Sequence, residues 1–149
     1  MNLQPTSRRS RGFTLIELLC AVSIAGFLSS VAYPTFQSVI HKARRSDALV
    51  AMMQVQIAQE RHRSAHAAYG SLDEIGLAAL SPARHYTLVV SASSESGYDI
   101  EATATGTQAA DTNCRVMRLK VDGGDLSQSS GPNASTDNPA EVNRKCWSL

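Results

Sequence analysis

Residues 12–32 read GFTLIELLCAVSIAGFLSSVA, and this stretch decides the fold. Its only charged residue is Glu17, whereas residues 1–12 contain three arginines and no acid. A helix of about 20 residues is roughly 30 Å long, which is the thickness of the hydrocarbon core of a bilayer. Basic residues in front of such a span hold that end in the cytoplasm. The sequence therefore predicts a membrane-spanning helix, with the remainder of the chain outside the inner membrane.

Two ordinary kinds of apolar N-terminal segment are alternatives: a cleaved secretory signal peptide and a simple membrane anchor. Ser30-Val31-Ala32 could serve as the small-residue cleavage site of a signal peptide. Neither alternative explains Glu17, because a carboxylate costs about 2.5–3.5 kcal/mol at the centre of a bilayer and needs a reason to be there.

The segment Gly12-Phe13-Thr14-Leu15-Ile16-Glu17-Leu18-Leu19 resembles the processing and assembly signature of type IV pilins and pseudopilins. The resemblance implies that a membrane peptidase cuts after Gly12 and methylates the new N-terminal residue, Phe13, to N-methylphenylalanine. It also divides the chain into three parts: a leader peptide over residues 1–12, a transmembrane and filament-core helix over 13–40, and a head domain outside the cytoplasm over 41–149.

Physical chemistry supports the roles that the resemblance assigns to these residues. Gly12 has no side chain, so a protease can approach its carbonyl closely. The amine that cleavage creates on Phe13 is positive, and the carboxylate of Glu17 can pair with it within one helix or between neighbouring subunits. In a filament core of low dielectric this pairing would be strong and a mismatch costly, so it would set the axial register.

The helix is expected to continue well beyond the apolar stretch. Pro34, which matches the helix-kinking proline of many family members, predicts a kink; that it ends the helix is the alternative. Leu49, Met53 and Ile57 recur at helical spacing and predict the face that packs on a core. The helix is predicted to run to Tyr69-Gly70, with the glycine as a left-handed cap.

Beyond the helix the pattern changes to that of a small sheet. Residues 85–91, 98–105 and 115–121 read as strands, and residues 122–124, Asp-Gly-Gly, signal a hairpin turn. Residues 126–142 are polar and are expected to be irregular. The fold class is thus α+β: a long kinked N-terminal α-helix, half membrane-spanning and half amphipathic, packed on a small antiparallel β-sheet of three or four strands, with a disulfide-bounded C-terminal loop.

Cys114 and Cys146 bracket the polar segment. An exported domain passes through an oxidising compartment, where two cysteines usually form a disulfide; two free thiols are the alternative. Closing this loop predicts about 3–4 kcal/mol of stabilisation in the chain-entropy model. Cys20 lies within the apolar helix and is expected to pack as a small apolar residue.

The sequence before and around the second predicted strand and the terminal Cys146-Trp147 resemble PilE-type minor pilins. This resemblance implies a minor structural subunit of a type IV pilus that takes part in pilus assembly. The implied partners are other pilin subunits, the prepilin peptidase and the inner-membrane pilus assembly machinery. The implied location is the inner membrane before assembly and the cell-surface pilus afterwards. A pilus-associated DNA-uptake receptor and a type II secretion pseudopilin are the alternatives.

The net charge of the head domain does not favour DNA binding. Residues 41–149 contain eleven Lys and Arg against twelve Asp and Glu, a net charge of −1. A local basic patch is still a hypothesis, and its candidate residues are Arg115, Arg118, Lys120, Arg144 and Lys145. Alternating strands more often carry a solvated charged face, so weak or no DNA binding is expected.

The remaining groups of polar residues have simpler explanations than metal binding or catalysis. His62 and His66 lie one helical turn apart, a spacing that can bind zinc, but the sequence places no third ligand and a solvated face is expected. Asp122 and Asp125 could suggest a calcium site. A plain hairpin turn explains both residues without a metal ion. The sequence has no nucleophile motif, phosphate loop or catalytic triad, so an enzyme, a metal and a cofactor are not expected.

Replacing Gly12 by Leu is predicted to leave an uncut precursor in the inner membrane, because the peptidase must reach the Gly12 carbonyl. Immunoblotting of membranes would show the longer chain. N-terminal sequencing of the wild-type protein should begin at methylated Phe13. A wild-type mature chain that begins at Tyr33 would instead indicate a signal peptide.

Overall fold

The computed structural model describes residues 12–91 and 94–148. The arginines of the predicted leader lie outside the described residues. The chain divides into two compact units, residues 1–37 and 38–149. In the first unit, all residues from 15 onward are helical. The second unit contains the sheet and the C-terminal helix.

Helix α1 spans Leu15–Arg63 without interruption. It continues through Pro34, so this residue does not end the helix, and that alternative is excluded. The side chain of Pro34 lies outside the described part of the structure, and the kink stays a prediction.

Four strands form one antiparallel sheet: β1 Tyr86–Ser91, β2 Gly97–Ala104, β3 Val116–Asp122 and β4 Asp125–Gly131. Each strand pairs with the next one along the chain, so the spatial order is the chain order. Gly123 and Gly124 turn β3 into β4 with φ angles of 59° and 95°, because a tight two-residue hairpin turn needs positive φ at both positions. The three predicted strands are confirmed to within one residue at each end, as is the hairpin.

The core lies between one face of α1 and the sheet. The helix contributes Ala48, Ala51, Met52 and Val55, and the sheet contributes Tyr86, Leu88, Ile100, Ala102, Met117 and Leu119. Ile100 is opposite Val90 on one side and Leu119 on the other, so alternate residues of three strands share the covered face.

The prediction that Leu49, Met53 and Ile57 form the core face of the helix is wrong for Met53 and Ile57, whereas Leu49 does pack against the core. Met53 and Ile57 are 59% and 53% exposed, and Leu49 is only partly buried. The sheet packs instead on the neighbouring face, where the small side chains of Ala48 and Ala51 let it approach the helix closely. Hydrophobicity alone favours the larger residues, whereas close packing selects the alanines.

The prediction that the helix reaches Tyr69, with Gly70 as a left-handed cap, is also wrong. Helix α1 ends at Arg63, and Gly70 is absent from the positive-φ residues. The side chain of Gln59, fully buried, holds the loop: its Nε2 donates to Gly70 O at 2.6 Å and its Oε1 accepts from Gly70 N at 2.9 Å. An added Cβ at Gly70 would lie 3.1 Å from His62 Nε2, so that neighbouring side chains would have to shift by a few tenths of an ångström to admit it.

The segment 126–142, expected to be irregular, contains most of β4 and the first residues of helix α2, Ala140–Trp147. The strand was missed because its side chains are mainly Ser and Gln and show no alternating apolar pattern, although Ser130 is buried and the backbone pairs with β3 throughout. The predicted disulfide is confirmed. Cys114 and Cys146, both buried, are joined with a Cα–Cα distance of 5.4 Å, which ties α2 to the segment before β3.

A buried polar network lies beside the core. Gln108, fully buried, donates from Nε2 to the hydroxyl of Tyr86 at 3.1 Å and to Asp111 Oδ2 at 3.2 Å. The same Nε2 lies 3.2 Å from the carbonyl oxygen of His41 on α1. Burial raises the pKa of Tyr86 to about 12, and the hydrogen bond from Gln108 opposes this only in part. The neutral phenol is therefore the form that fits the folded protein.

The free energy of unfolding is predicted to fall as pH rises from about 10 towards 12, because the unfolded phenol ionises first and the folded Tyr86 resists ionisation. Tyr86→Phe should make this alkaline fall shallower, and adding Tyr98→Phe, whose pKa burial also raises to about 12, should flatten it further. Urea unfolding over a pH series measures the effect, with exposed Tyr33→Phe as the control. Equal slopes for all variants would contradict the prediction.

Candidate functional site

The N-terminal part of α1 has an almost wholly apolar surface. Its most apolar window has a mean hydropathy of 2.1, and none of that window is buried within the protein. Phe13 and Leu15 are each 77% exposed. So much apolar surface is unfavourable in water, so this segment needs lipid or other protein around it. By length and composition it is a candidate membrane span.

The serine hydroxyls of this segment are satisfied by the helix itself. The hydroxyls of Ser23 and Ser29 each donate to the carbonyl four residues earlier at 2.8 Å. The hydroxyl of Ser30 donates to Phe27 O at 2.7 Å. Hydroxyls that are already bonded do not oppose burial in apolar surroundings.

Glu17 lies in the first turn of α1. Its backbone N–H donates to Thr14 Oγ1 over 3.3 Å, and the Thr-x-x-Glu spacing is that of a capping box. A carboxylate here also interacts favourably with the positive end of the helix dipole. Thr14 thus caps the helix through the backbone N–H of Glu17, and it is a residue that the sequence analysis missed although its spacing could have revealed it.

Two of the five basic residues predicted as a DNA-binding patch are balanced by acids. Arg118 is half-buried, and its Nη2 lies 2.6 Å from Glu101 Oε2 and 2.9 Å from the carbonyl oxygen of Ala134. Lys120 is exposed, with its Nζ 3.3 Å from Asp122 Oδ2. The strand face that carries these two residues therefore has little free positive charge.

An ion pair organises the surroundings of the other three basic residues. Arg45 on α1 donates from Nε and Nη2 to the two carboxylate oxygens of Asp111, at 2.7 and 2.9 Å. Its Nη1 donates to Lys145 O on α2 at 2.9 Å. Arg45 thereby holds α2 beside α1 without adding net charge, because Asp111 neutralises it.

Four basic side chains around this ion pair form no ion pair within the described residues, and we call them the basic cluster: Arg44, Arg115, Arg144 and Lys145. Arg44 donates to Thr107 Oγ1 at 2.7 Å, and Arg115 donates to the carbonyl of Ala109 at 3.0 Å, so both border the same 3-10 helix. Arg144 and Lys145 are exposed on α2. Sequence analysis missed Arg44, since nothing in the chain signals its approach to Thr107.

The histidine pair and the aspartate pair have local explanations. The rings of His62 and His66 are stacked with centroids 4.0 Å apart, and His66 Nδ1 lies 3.0 Å from His62 O. Asp122 and Asp125 close the β3–β4 hairpin. Among the described residues, no group of three or more His, Cys, Asp or Glu side chains is arranged to hold a metal ion.

Comparison with known families gives two matches that together follow the chain from residue 7 to residue 118. The model described as a prokaryotic N-terminal methylation motif matches residues 7–33. The model described as type IV minor pilin ComP, DNA uptake sequence receptor, matches residues 34–118, which is more than half of the chain.

Curated relatives agree with these matches. The type IV major pilin protein PilA of Myxococcus xanthus is 34% identical over 79 residues, covering 52% of this chain and 36% of that protein. The prepilin peptidase-dependent protein D of Escherichia coli is 36% identical over 52 residues, covering 35% of this chain and 36% of its own length. The matched part thus spans about a third of each relative. Together with the long apolar helix, the antiparallel sheet and the C-terminal disulfide, these matches show that the chain belongs to the ComP family of type IV minor pilins.

Proposed function

We propose that this minor pilin is made as a precursor, is cut between Gly12 and Phe13, and is then built into a type IV pilus as a structural subunit. Before assembly, the apolar part of α1 would hold it in the inner membrane with the head domain outside the cytoplasm. The assembled subunit would lie in the cell-surface pilus. It catalyses no reaction of its own, and the prepilin peptidase and the assembly machinery act on it.

One observation carries this proposal above the others: the most apolar window of α1 is not covered by any part of the protein. A signal peptide would be discarded after export, but the methylation motif over residues 7–33 fits cleavage before this segment. The segment would then stay in the mature chain and exchange lipid for the helices of other pilin subunits.

Glu17 would serve this assembly through its charge. Cleavage leaves a positive amine on Phe13, and the carboxylate of Glu17 in a neighbouring subunit could pair with it in the apolar filament core. Breaking one such pair leaves an unpaired charge, at a cost on the order of 3–5 kcal/mol when it is fully desolvated. The capping role of Glu17 offers a second explanation, which a change of charge alone can separate.

Glu17→Gln keeps a side chain suited to the capping box and removes the charge, whereas Glu17→Ala removes both. Both variants are predicted to be cleaved normally and to be depleted in sheared pili relative to membranes, by at least about tenfold. Quantitative immunoblotting of both fractions measures this. Wild-type amounts of Glu17→Gln in pili, with Glu17→Ala depleted, would show that Glu17 acts only as a cap.

A second function, DNA binding by the head domain, is favoured by the family match, whose description names a DNA uptake sequence receptor. We propose that the basic cluster contacts the phosphates of duplex DNA. Its four side chains have no acidic partner among the described residues, so they can neutralise phosphates although the domain as a whole is slightly acidic. This places the contact on α2 and the segment before β3 rather than on the strand face of Arg118.

Arg144→Gln combined with Lys145→Gln is predicted to weaken duplex binding and to reduce the slope of log affinity against log salt by roughly two, since two phosphate contacts are lost. The matched control is Arg118→Gln combined with Lys120→Gln, which removes the same charge from the strand face and should bind like the wild type. Fluorescence anisotropy of a labelled duplex with the full chain in detergent measures both.

Thermal unfolding of each variant would confirm that the fold is intact. Absence of salt-dependent binding by the wild type would contradict the DNA-binding proposal. If only the control variant lost duplex binding, the DNA contact would lie on β3 instead.

A further inference from the structure

Basic residues surround α1 at the point where the head domain begins. The first compact unit ends at residue 37, and Lys42, Arg44 and Arg45 follow within eight residues. Each residue of an α-helix is rotated by about 100° from the one before it, so these three side chains leave the helix in different directions within one turn. Charge along one side of a helix suits another rod, whereas charge around one level of a helix suits a plane that crosses its axis.

The loop before β1 brings a further basic residue close to this level. Arg84 is exposed, and its carbonyl oxygen accepts from Thr105 Oγ1 at 3.1 Å. Thr105 directly precedes the 3-10 helix whose Thr107 accepts from Arg44 at 2.7 Å. Arg84, although 40 residues beyond Arg44 in the chain, therefore belongs to the same end of the head domain.

The backbone of Arg84 has a conformation that is rare for its residue type. Its φ angle is 60°, in the left-handed region that non-glycine residues seldom adopt. The buried carboxylate of Asp47 holds both neighbours, accepting from the backbone N–H of Ala83 at 2.9 Å and that of His85 at 3.2 Å. Strained residues that the surrounding structure holds in place cluster at functional sites, so Arg84 deserves a role at the surface.

The acids at this end of the head domain are already engaged. Asp111 pairs with Arg45 at 2.7 Å, and Asp47 is buried with its oxygens bonded to the loop before β1. Three basic side chains here form no ion pair among the residues that the structure describes, and we call them the basic ring: Lys42, Arg44 and Arg84.

The length of the apolar part of α1 relates the basic ring to a membrane surface. At 1.5 Å per residue, about 39 Å of helix separates Leu15 from Ile40. A bilayer with its headgroups is about 40–45 Å thick. With the apolar part in the membrane, the residues that directly follow Ile40 emerge among the headgroups, where the phosphates of anionic lipids lie.

We propose that the basic ring binds the phosphates of anionic phospholipids in the leaflet on the head-domain side of the membrane before the subunit enters the pilus. This inference rests on the proposed membrane-bound state and deepens it by naming the class of lipid. Basic side chains that leave α1 in different directions can each contact a different headgroup. Each should favour an anionic over a neutral headgroup by roughly fivefold, and these contacts are released when the subunit is extracted.

The test uses the full chain reconstituted into phosphatidylcholine vesicles with a trace of spin-labelled phosphatidylglycerol or spin-labelled phosphatidylcholine. Electron paramagnetic resonance separates lipid immobilised at the protein from free lipid, and the ratio of the two association constants gives the lipid preference. Lys42→Gln combined with Arg84→Gln is predicted to lower the preference for phosphatidylglycerol at least about twofold, averaged over all lipid around the chain. Added salt should lower the wild-type preference, because exposed charges are screened.

The matched control is Arg61→Gln combined with Lys120→Gln, which also removes one exposed Arg and one exposed Lys. Arg61 lies roughly 28 Å along α1 from Lys42, well beyond the headgroups. This variant should keep the wild-type preference. The arginines of residues 1–12 contribute equally to every variant, so they do not affect the comparison. Thermal unfolding of each variant checks the fold.

An unchanged lipid preference in the Lys42 and Arg84 variant would overturn the proposal. An equal loss in the control would also overturn it, because charge anywhere on the head domain would then suffice. If the Lys42 and Arg84 variant lost duplex DNA binding and kept its lipid preference, the ring would be a DNA contact instead. The lipid assay requires neither peptidase cleavage nor pilus incorporation, so its failure is distinguishable from a failure of the proposed function.

Discussion

Helix α1 carries more apolar surface than the protein can cover, and the rest of the structure depends on this excess. The sheet buries one face of the helix around Ala48 and Val55, which gives the head domain its core. The most apolar window has nothing of the protein over it. An uncovered apolar segment of this length is unfavourable in water, and by length and composition it is a candidate membrane span.

Buried polar side chains, rather than regular secondary structure, hold the loops of the head domain. Gln59 binds both backbone groups of Gly70, Asp47 accepts from the backbone N–H groups of Ala83 and His85, and Gln108 connects Tyr86 to Asp111. Each of these side chains satisfies groups that would otherwise be costly to bury. Together with the disulfide they fix long connections that contain little apolar sequence of their own.

Local charge matters more than net charge in this head domain. The domain is close to neutral, yet ion pairs engage Arg45, Arg118 and Lys120, while the basic cluster has no acidic partner among the described residues. The net charge of the domain therefore does not report the charge that its individual basic side chains present.

The sequence by itself determined the apolar helix, the Gly12-Phe13-Glu17 signature, the strand positions of β1 to β3 and the disulfide, because each depends on local pattern or on the compartment alone. Only the tertiary structure decided which face of α1 is covered, since close packing on Ala48 and Ala51 outweighed the larger apolar side chains. It likewise decided that Arg118 is paired with Glu101 and that Arg45 contacts the C-terminal helix through Lys145 O. Those partners are distant in sequence, and no periodicity in a chain encodes contacts that only the folded backbone brings together.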